Sequence, residues 1–61
     1  MLPKDPSILL SVVNMKLRDF YENLDDLVED LDESKEQIIL ILKEFGYQYD
    51  EILNQFVPII W

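Results

Sequence analysis

The stretch Asn23–Gln37, NLDDLVEDLDESKEQ, has the pattern of a short helix, a tight turn and the start of a second helix. Asn23 is a favourable N-cap residue. Apolar residues then follow the spacing i, i+3, i+4, i+7 of one buried helical face: Leu24, Leu27, Val28 and Leu31. Ser34, with Gln37 three residues later, is a capping box. We therefore predict a helix-turn-helix, with helices at about 24–31 and 35–45.

The residues before this stretch predict another helix. Asp5 followed by Pro6 is typical of an N-cap and first helical position, so helix one should cover about 6–21. At 100° per residue its core face is predicted to contain Leu9, Leu10, Val13, Leu17 and Phe20. The core face of helix three is predicted to contain Ile38, Ile41, Leu42 and Phe45, with Gly46 as its left-handed C-cap.

After Gly46 the apolar residues alternate, which indicates strands. We predict a β-hairpin at about 47–57 that turns at Glu51–Asn54, and an apolar tail at 58–61 in which Pro58 favours an edge or extended segment. The expected fold is a single mainly helical α+β domain. It is a three-helix unit of the helix-turn-helix type followed by a short C-terminal hairpin, similar to a minimal winged helix.

Composition limits how this domain is stabilised and what it binds. The 61 residues include no cysteine and no histidine, which excludes disulfides and the common zinc sites. A chain this short buries only about 60% of its unfolded surface, so tight packing or oligomerisation must help. The net charge of −8 repels nucleic acid phosphates and anionic membranes. The start of the chain lacks the pattern of a signal peptide, and we expect a soluble cytoplasmic protein with no membrane contact.

Two long motifs resemble a known family. MLPKDPSILLSVVNMKLRDFYENLDDL at 1–27 and GYQYDEILNQF at 46–56 are similar to the small bacterial domain of unknown function 4250. The resemblance covers Met1 to Phe56 and leaves VPIIW outside it. It implies a small uncharacterised domain and implies no catalytic or binding residue.

Three specific activities are weighed against simpler interpretations. If helix three read DNA, it would use the residues outside its core face: Lys35, Glu36, Gln37, Leu40 and Lys43. Only the two lysines among them are cations, which is few for phosphate contacts. As a calcium loop, Asp30 to Ile41 lacks the central glycine and the final glutamate of an EF-hand. For catalysis, only surface carboxylates such as Asp25 and Glu29 are present. We expect no enzyme activity, no cofactor, no metal and no small-molecule substrate.

The chain has more large apolar residues than one small core can cover. Helix one carries a second apolar stripe, and Ile39 and Leu40 point about 100° and 200° away from Ile38. We predict that a protein interface uses these residues: Ile8, Val12, Met15, Ile39, Leu40, Ile52, Leu53, Ile59, Ile60 and Trp61. In the alternative interpretation, the tail folds back and covers helix one within the monomer. Asn14 and Arg18 lie on the polar arc of helix one, where they could bind an anion or, for Arg18, pair with acids of helix two.

The sequence thus predicts a non-catalytic protein-interaction module that self-associates, most simply as a homodimer. One alternative is a helix-turn-helix transcriptional regulator or accessory subunit that binds DNA only within a larger assembly. Another is an acidic decoy that competes with nucleic acid for a basic partner.

Overall fold

The chain folds into three helices followed by a hairpin, as predicted. The computed structural model describes residues 2–60. The helices are α1 (Pro6–Asp19), α2 (Leu24–Leu31) and α3 (Lys35–Glu44), and the antiparallel strands are β1 (Tyr47–Asp50) and β2 (Gln55–Pro58). The mainly helical α+β fold class is confirmed.

All three helices begin at the caps that the sequence predicts. The side chains of Asp5, Asn23 and Ser34 accept hydrogen bonds from backbone N–H groups of the following turn, at distances between 2.8 and 3.3 Å. These bonds satisfy N–H groups that have no partner inside the helix, which typically stabilises a helix by about 1 kcal/mol per cap.

Left-handed residues end two of the helices. Asp32, the C-cap of α2, has φ 53° and ψ 48°, a conformation that aspartate tolerates better than most residues. Its neighbour Glu33 donates its N–H to the carbonyl of Val28 at 2.9 Å, which closes the turn between α2 and α3. Gly46 has φ 95° directly after the cap of α3, so glycine is needed here for its backbone freedom.

The core lies where the three helices and β2 meet. Its buried residues come from every helix, from β2 and from the segment before α1: Leu2, Leu9, Val13, Leu17, Leu24, Leu27, Ile38, Leu42 and Phe56. Leu10, Val28, Leu31 and Ile41 are partly buried around it. Fully burying a large apolar side chain contributes about 1.5–3 kcal/mol, so these residues supply most of the driving force. Leu2 precedes α1 and was not predicted as a core residue.

Two phenylalanines predicted for the core lie on the surface instead. Phe20 is 70% exposed and Phe45 is 45% exposed. Phe20 is the C-cap of α1, with φ −127°, so the helical projection no longer applies to it; α1 ends at Asp19, before the predicted 21. Tyr21 packs against the core in its place. Phe45 is likewise the C-cap of α3, and its ring stacks on Tyr47 with centroids 5.7 Å apart.

The hairpin turns at Glu51–Asn54, as predicted, and pairs Tyr47 with Pro58 and Tyr49 with Phe56. Asp50 holds the turn, since its Oδ1 accepts from the N–H groups of Ile52 at 2.8 Å and Leu53 at 3.1 Å.

The tail does not fold back over α1 within the described residues. Ile59 donates its N–H to the carbonyl of Gly46 at 2.9 Å, which continues the pairing of the hairpin, and Ile60 is 89% exposed. Trp61 lies outside the described residues.

One network of hydrogen bonds joins the hairpin to the helices. The Asn54 amide donates to the carbonyls of Leu17 at 3.1 Å and Tyr21 at 2.9 Å, where α1 ends. Its Oδ1 accepts from the Tyr49 hydroxyl at 2.6 Å, and that hydroxyl accepts the N–H of Leu24, the first residue of α2, at 3.2 Å. Asn54 itself has φ 53°. The network therefore fixes the hairpin turn, the end of α1 and the start of α2 relative to one another.

Replacing Asn54 should destabilise the whole domain. Asn54→Ala removes an amide that donates to two carbonyls, which should lower the free energy of unfolding by about 1–3 kcal/mol. It also places a residue with a Cβ but no polar side chain at positive φ, which should cost about 1–2 kcal/mol more. Asn54→Gly removes the amide without the backbone strain, so it should be about 1 kcal/mol more stable than the alanine variant. Urea unfolding followed by circular dichroism measures both. A glycine variant as stable as the wild type would contradict the role of the amide.

Candidate protein-interaction surface

The outer edge of β2 is closed by one side chain. Asn14 of α1 accepts the N–H of Phe56 through Oδ1 at 2.7 Å and donates Nδ2 to the carbonyl of Phe56 at 3.0 Å. Both backbone groups of Phe56 therefore point away from β1. Pro58, further along β2, has no N–H to offer. The amide and the proline together protect this edge from pairing with another strand.

The outer edge of β1 is open. In an antiparallel pair, hydrogen-bonded and non-hydrogen-bonded residue pairs alternate. Since Phe56 points its groups outward, its partner Tyr49 does the same, and so does Tyr47 two residues earlier. The bond between Ile59 and Gly46 fits this alternation. Outside the ladder with β2, no backbone group of residues 2–60 forms a hydrogen bond with the N–H or C=O of Tyr47 or Tyr49.

A groove of about 460 Å³ runs between this open edge and α3. Its α3 wall consists of Lys35, Ile39 and Lys43, which are four residues apart and so share one helical face. Its hairpin wall consists of Tyr47, Gln48, Tyr49, Glu51 and Ile59. The helix and the strand run in opposite directions, so Lys43 lies at the Gly46 end and Lys35 at the Glu51 end. We name this surface the α3–β1 groove.

The α3–β1 groove carries charges at both ends and apolar groups between them. Lys35 pairs with Asp25 of α2 at 2.8 Å, and this hydrogen bond and charge raise the pKa of Lys35. Within residues 2–60, Lys43 has no carboxylate within ion-pair distance. Ile39, between the two lysines, is 37% exposed. The groove therefore has the cation of Lys43, unpaired within residues 2–60, at one end, Lys35 with its partner Asp25 and Glu51 at the other, and Ile39 between them.

The predicted interface residues do not form one continuous surface. Ile39 and Ile59 come together in the α3–β1 groove. Ile8 and Met15 are exposed on α1, which packs beside β2 rather than β1. The remaining residues divide by exposure: Leu40, Ile52, Leu53 and Ile60 are exposed, while Val12 and Ile59 are half-buried. Val12 packs against the core. Trp61 lies outside the described residues.

Sequence reasoning missed parts of this surface. The open edge of β1 was not predicted, because it follows from the bond between Asn14 and Phe56, which no local pattern indicates. Outside the groove, Phe20 and Phe45 are exposed aromatic residues that were predicted to lie in the core. Their position at the helix C-caps was the available signal, because the helical projection fails once the helix ends.

Asn14 and Arg18 both have hydrogen-bond partners within the chain. Both ends of the Asn14 amide bind Phe56. Arg18 pairs with Asp19 of its own helix, through Nε at 3.0 Å and a second bond at 3.1 Å, rather than with acids of α2. Hydrogen bonding to Asp19 raises the pKa of Arg18, and the same bond lowers the pKa of Asp19. The pair is solvent-exposed, and such pairs contribute little to stability.

The acids of α2 form an open surface depression. Tyr21, Asp26, Glu29 and Asp30 line about 540 Å³ of it, and the Tyr21 hydroxyl donates to Asp30. This hydrogen bond raises the pKa of Tyr21. In the part of the chain that the structure describes, no three carboxylates come together as a metal site requires. Ser34, which lies within the stretch considered as a calcium loop, caps α3 with its hydroxyl.

The residues that carry the family resemblance mostly have structural roles. Asp5 caps α1, Asn14 closes β2, Tyr49 and Asn54 form the network at the hairpin turn, and Phe56 is buried in the core. Their pattern is explained by the fold and does not by itself indicate a ligand.

A comparison with protein families identifies the family of the chain. The model of a family described as Domain of unknown function (DUF4250) covers residues 3–56 of the 61-residue chain. No curated protein and no solved structure matches the chain significantly. In residues 2–60 none of the helices has the length and apolar character that crossing a membrane requires.

The Tyr21 contact should make stability fall at alkaline pH. The pKa of Tyr21 is raised from 10.0 by its bond to Asp30. The contribution of this hydrogen bond to the stability of the fold is therefore fully present below about pH 10, and it is lost as pH rises through the higher folded-state pKa of Tyr21. Urea unfolding between about pH 9 and 11 should show that the free energy of unfolding decreases less steeply with pH for Tyr21→Phe than for the wild type. Tyr47→Phe is the control, because within residues 2–60 the tyrosine hydroxyls that form hydrogen bonds are those of Tyr21 and Tyr49. Equal slopes in all three proteins would contradict this assignment.

Proposed function

The chain belongs to the family described as Domain of unknown function (DUF4250), and on that premise we propose that it is a non-catalytic protein-interaction module that associates with a second copy of itself. The observation that carries the proposal is the open edge of β1 beside Ile39 in the α3–β1 groove. Unpaired strand edges are ready templates for another strand, and most proteins protect them. Here β2 is protected by Asn14 and β1 is not.

The small size of the domain supports self-association. A two-stranded sheet is marginally stable by itself and gains from additional strands or helix packing. The chain lacks the disulfides that stabilise many domains of this length. Large apolar side chains remain exposed on its helices, including Ile39 at 37% and Leu40 at 55%. Burying such groups against a second copy would add apolar contact that the isolated core cannot supply.

The non-catalytic part of the proposal rests on chemistry. The chain has no histidine and no cysteine, and its single glycine cannot form a glycine-rich phosphate loop. The carboxylates of the acidic depression are solvent-exposed. Carboxylates act as general acids or bases when a sheltered site tunes their pKa. We place the association in the cytoplasm as part of the same proposal, since a net charge of −8 disfavours contact with anionic membranes.

The DNA-binding alternative has less support. A reading helix in this position would be α3, whose exposed cations are Lys35 and Lys43. Lys35 already pairs with Asp25, and the acids of α2 lie close by. Binding to duplex DNA would have to overcome the net charge of −8. We expect no complex with duplex DNA in about 0.15 M salt, and a salt-dependent complex at micromolar protein would favour the regulator instead.

Self-association is tested by analytical ultracentrifugation of the wild type. We expect a species of twice the 7.3 kDa chain mass, with a monomer at high dilution. Salt near 0.15 M reduces the repulsion between two chains of charge −8. Ile39→Glu should raise the dissociation constant at least about tenfold, because a charge would enter an apolar contact. A 7.3 kDa species at every concentration would overturn the proposal.

Two glutamate variants serve as matched controls. Ile52→Glu adds the same charge at a side chain that is 94% exposed at the hairpin turn, and it should change the dissociation constant by less than about threefold. Met15→Glu adds the same negative charge on α1, away from the α3–β1 groove. If Met15→Glu weakens the dimer and Ile39→Glu does not, the copies associate through α1 and not through the groove.

A further inference from the structure

The geometry points to one mode of association: two copies join their β1 strands edge to edge, antiparallel, about a twofold axis at Gln48. The result is a four-stranded sheet in the order β2, β1, β1, β2. This inference rests on the proposed self-association and specifies its contacts. It commits to a second copy of this chain as the occupant of the α3–β1 groove.

The backbone of β1 is self-complementary in this register. Tyr47 and Tyr49 both direct their N–H and C=O outward, and Gln48 between them directs its own groups toward β2. A twofold axis at Gln48 places Tyr47 opposite Tyr49 of the second copy, and Tyr49 opposite its Tyr47. Each facing pair can then exchange two N–H to C=O hydrogen bonds, as in any antiparallel ladder. All four outward groups of each strand would gain a partner.

The charges of the groove are complementary under the same twofold axis. Lys43 lies at the Gly46 end of the groove. Glu51 lies at the opposite end, where the charge of Lys35 is already paired with Asp25. Antiparallel pairing brings the Glu51 end of one copy beside the Lys43 end of the other, and the symmetry repeats this contact. Within residues 2–60, Lys43 has no ion-pair partner in its own chain. Each dimer would contain two such pairs between the copies.

Apolar contact would form at the centre of the same surface. Ile39 is the middle residue of the α3 wall, and Gln48 is the middle of the three consecutive β1 residues on the hairpin wall. The twofold axis therefore brings the two Ile39 side chains toward each other. An extended peptide from another protein could use the same edge, but it would not require Glu51 of this chain.

A charge exchange tests this geometry. Lys43→Glu and Glu51→Lys each create like charges across the interface, and each should raise the dissociation constant of the dimer about tenfold. The double variant restores opposite charges and should return within about threefold of the wild type. Both residues are exposed, so folding should be retained, which circular dichroism checks. Lys4→Glu and Glu22→Lys repeat the charge changes at exposed residues outside the groove and should leave the dimer unchanged.

Amide hydrogen exchange gives an independent measurement. In the dimer, the N–H groups of Tyr47 and Tyr49 should exchange at least about tenfold more slowly than at monomeric dilution. The amide of Gln48, which points toward β2, should show a smaller change.

The results separate this inference from the proposed function. A chain that stays monomeric overturns both. A dimer that is insensitive to the charge exchange, with no added protection of Tyr47 and Tyr49, overturns the strand pairing and leaves self-association intact. Single variants that weaken the dimer, a double variant that restores it and protected Tyr47 and Tyr49 amides together support the twofold sheet.

Discussion

The position of the hairpin depends on two asparagine side chains, and the surface described above depends on the hairpin. Asn54 joins the hairpin turn to the carbonyls of Leu17 and Tyr21, where α1 ends. Asn14 holds the Phe56 backbone. Buried or half-buried backbone groups are costly to leave without partners, so these amides restrict where β2 can lie. Once β2 is fixed against α1, the alternation of the ladder determines which backbone groups of β1 point outward.

The local elements of the fold could be predicted from sequence because each one is encoded by neighbouring residues. Asp5, Asn23 and Ser34 cap the helices as predicted, Gly46 adopts the left-handed conformation, and the hairpin turns at the predicted residues. The helical projection was wrong for Phe20 and Phe45 because both residues cap helices, and a cap no longer follows the 100° period. The tertiary bonds of Asn14 and Asn54 span 42 and 37 residues of sequence, and no periodic pattern encodes them.

The candidate surface was predictable only in part. The excess of apolar residues correctly indicated that some of them would remain exposed, and Ile39, Leu40 and Ile52 are exposed. Which of them lie together depends on tertiary packing: α3 lies beside β1 and α1 lies beside β2, so the predicted residues are divided between two sides of the hairpin. The strand edge is a property of the backbone. Ranking side chains by hydrophobicity therefore cannot predict which strand edge is open.

The single amide of Asn14 on β2 also determines how far an assembly can grow. A sheet with two open edges can add strands without limit, which is the geometry of fibres. Here each chain has one open edge and one closed edge, so its hairpin can pair with only one further strand. Two chains that paired in the proposed way would use both open edges and form a finite, closed unit. In this architecture a side chain on a helix limits the number of strands that the sheet can contain.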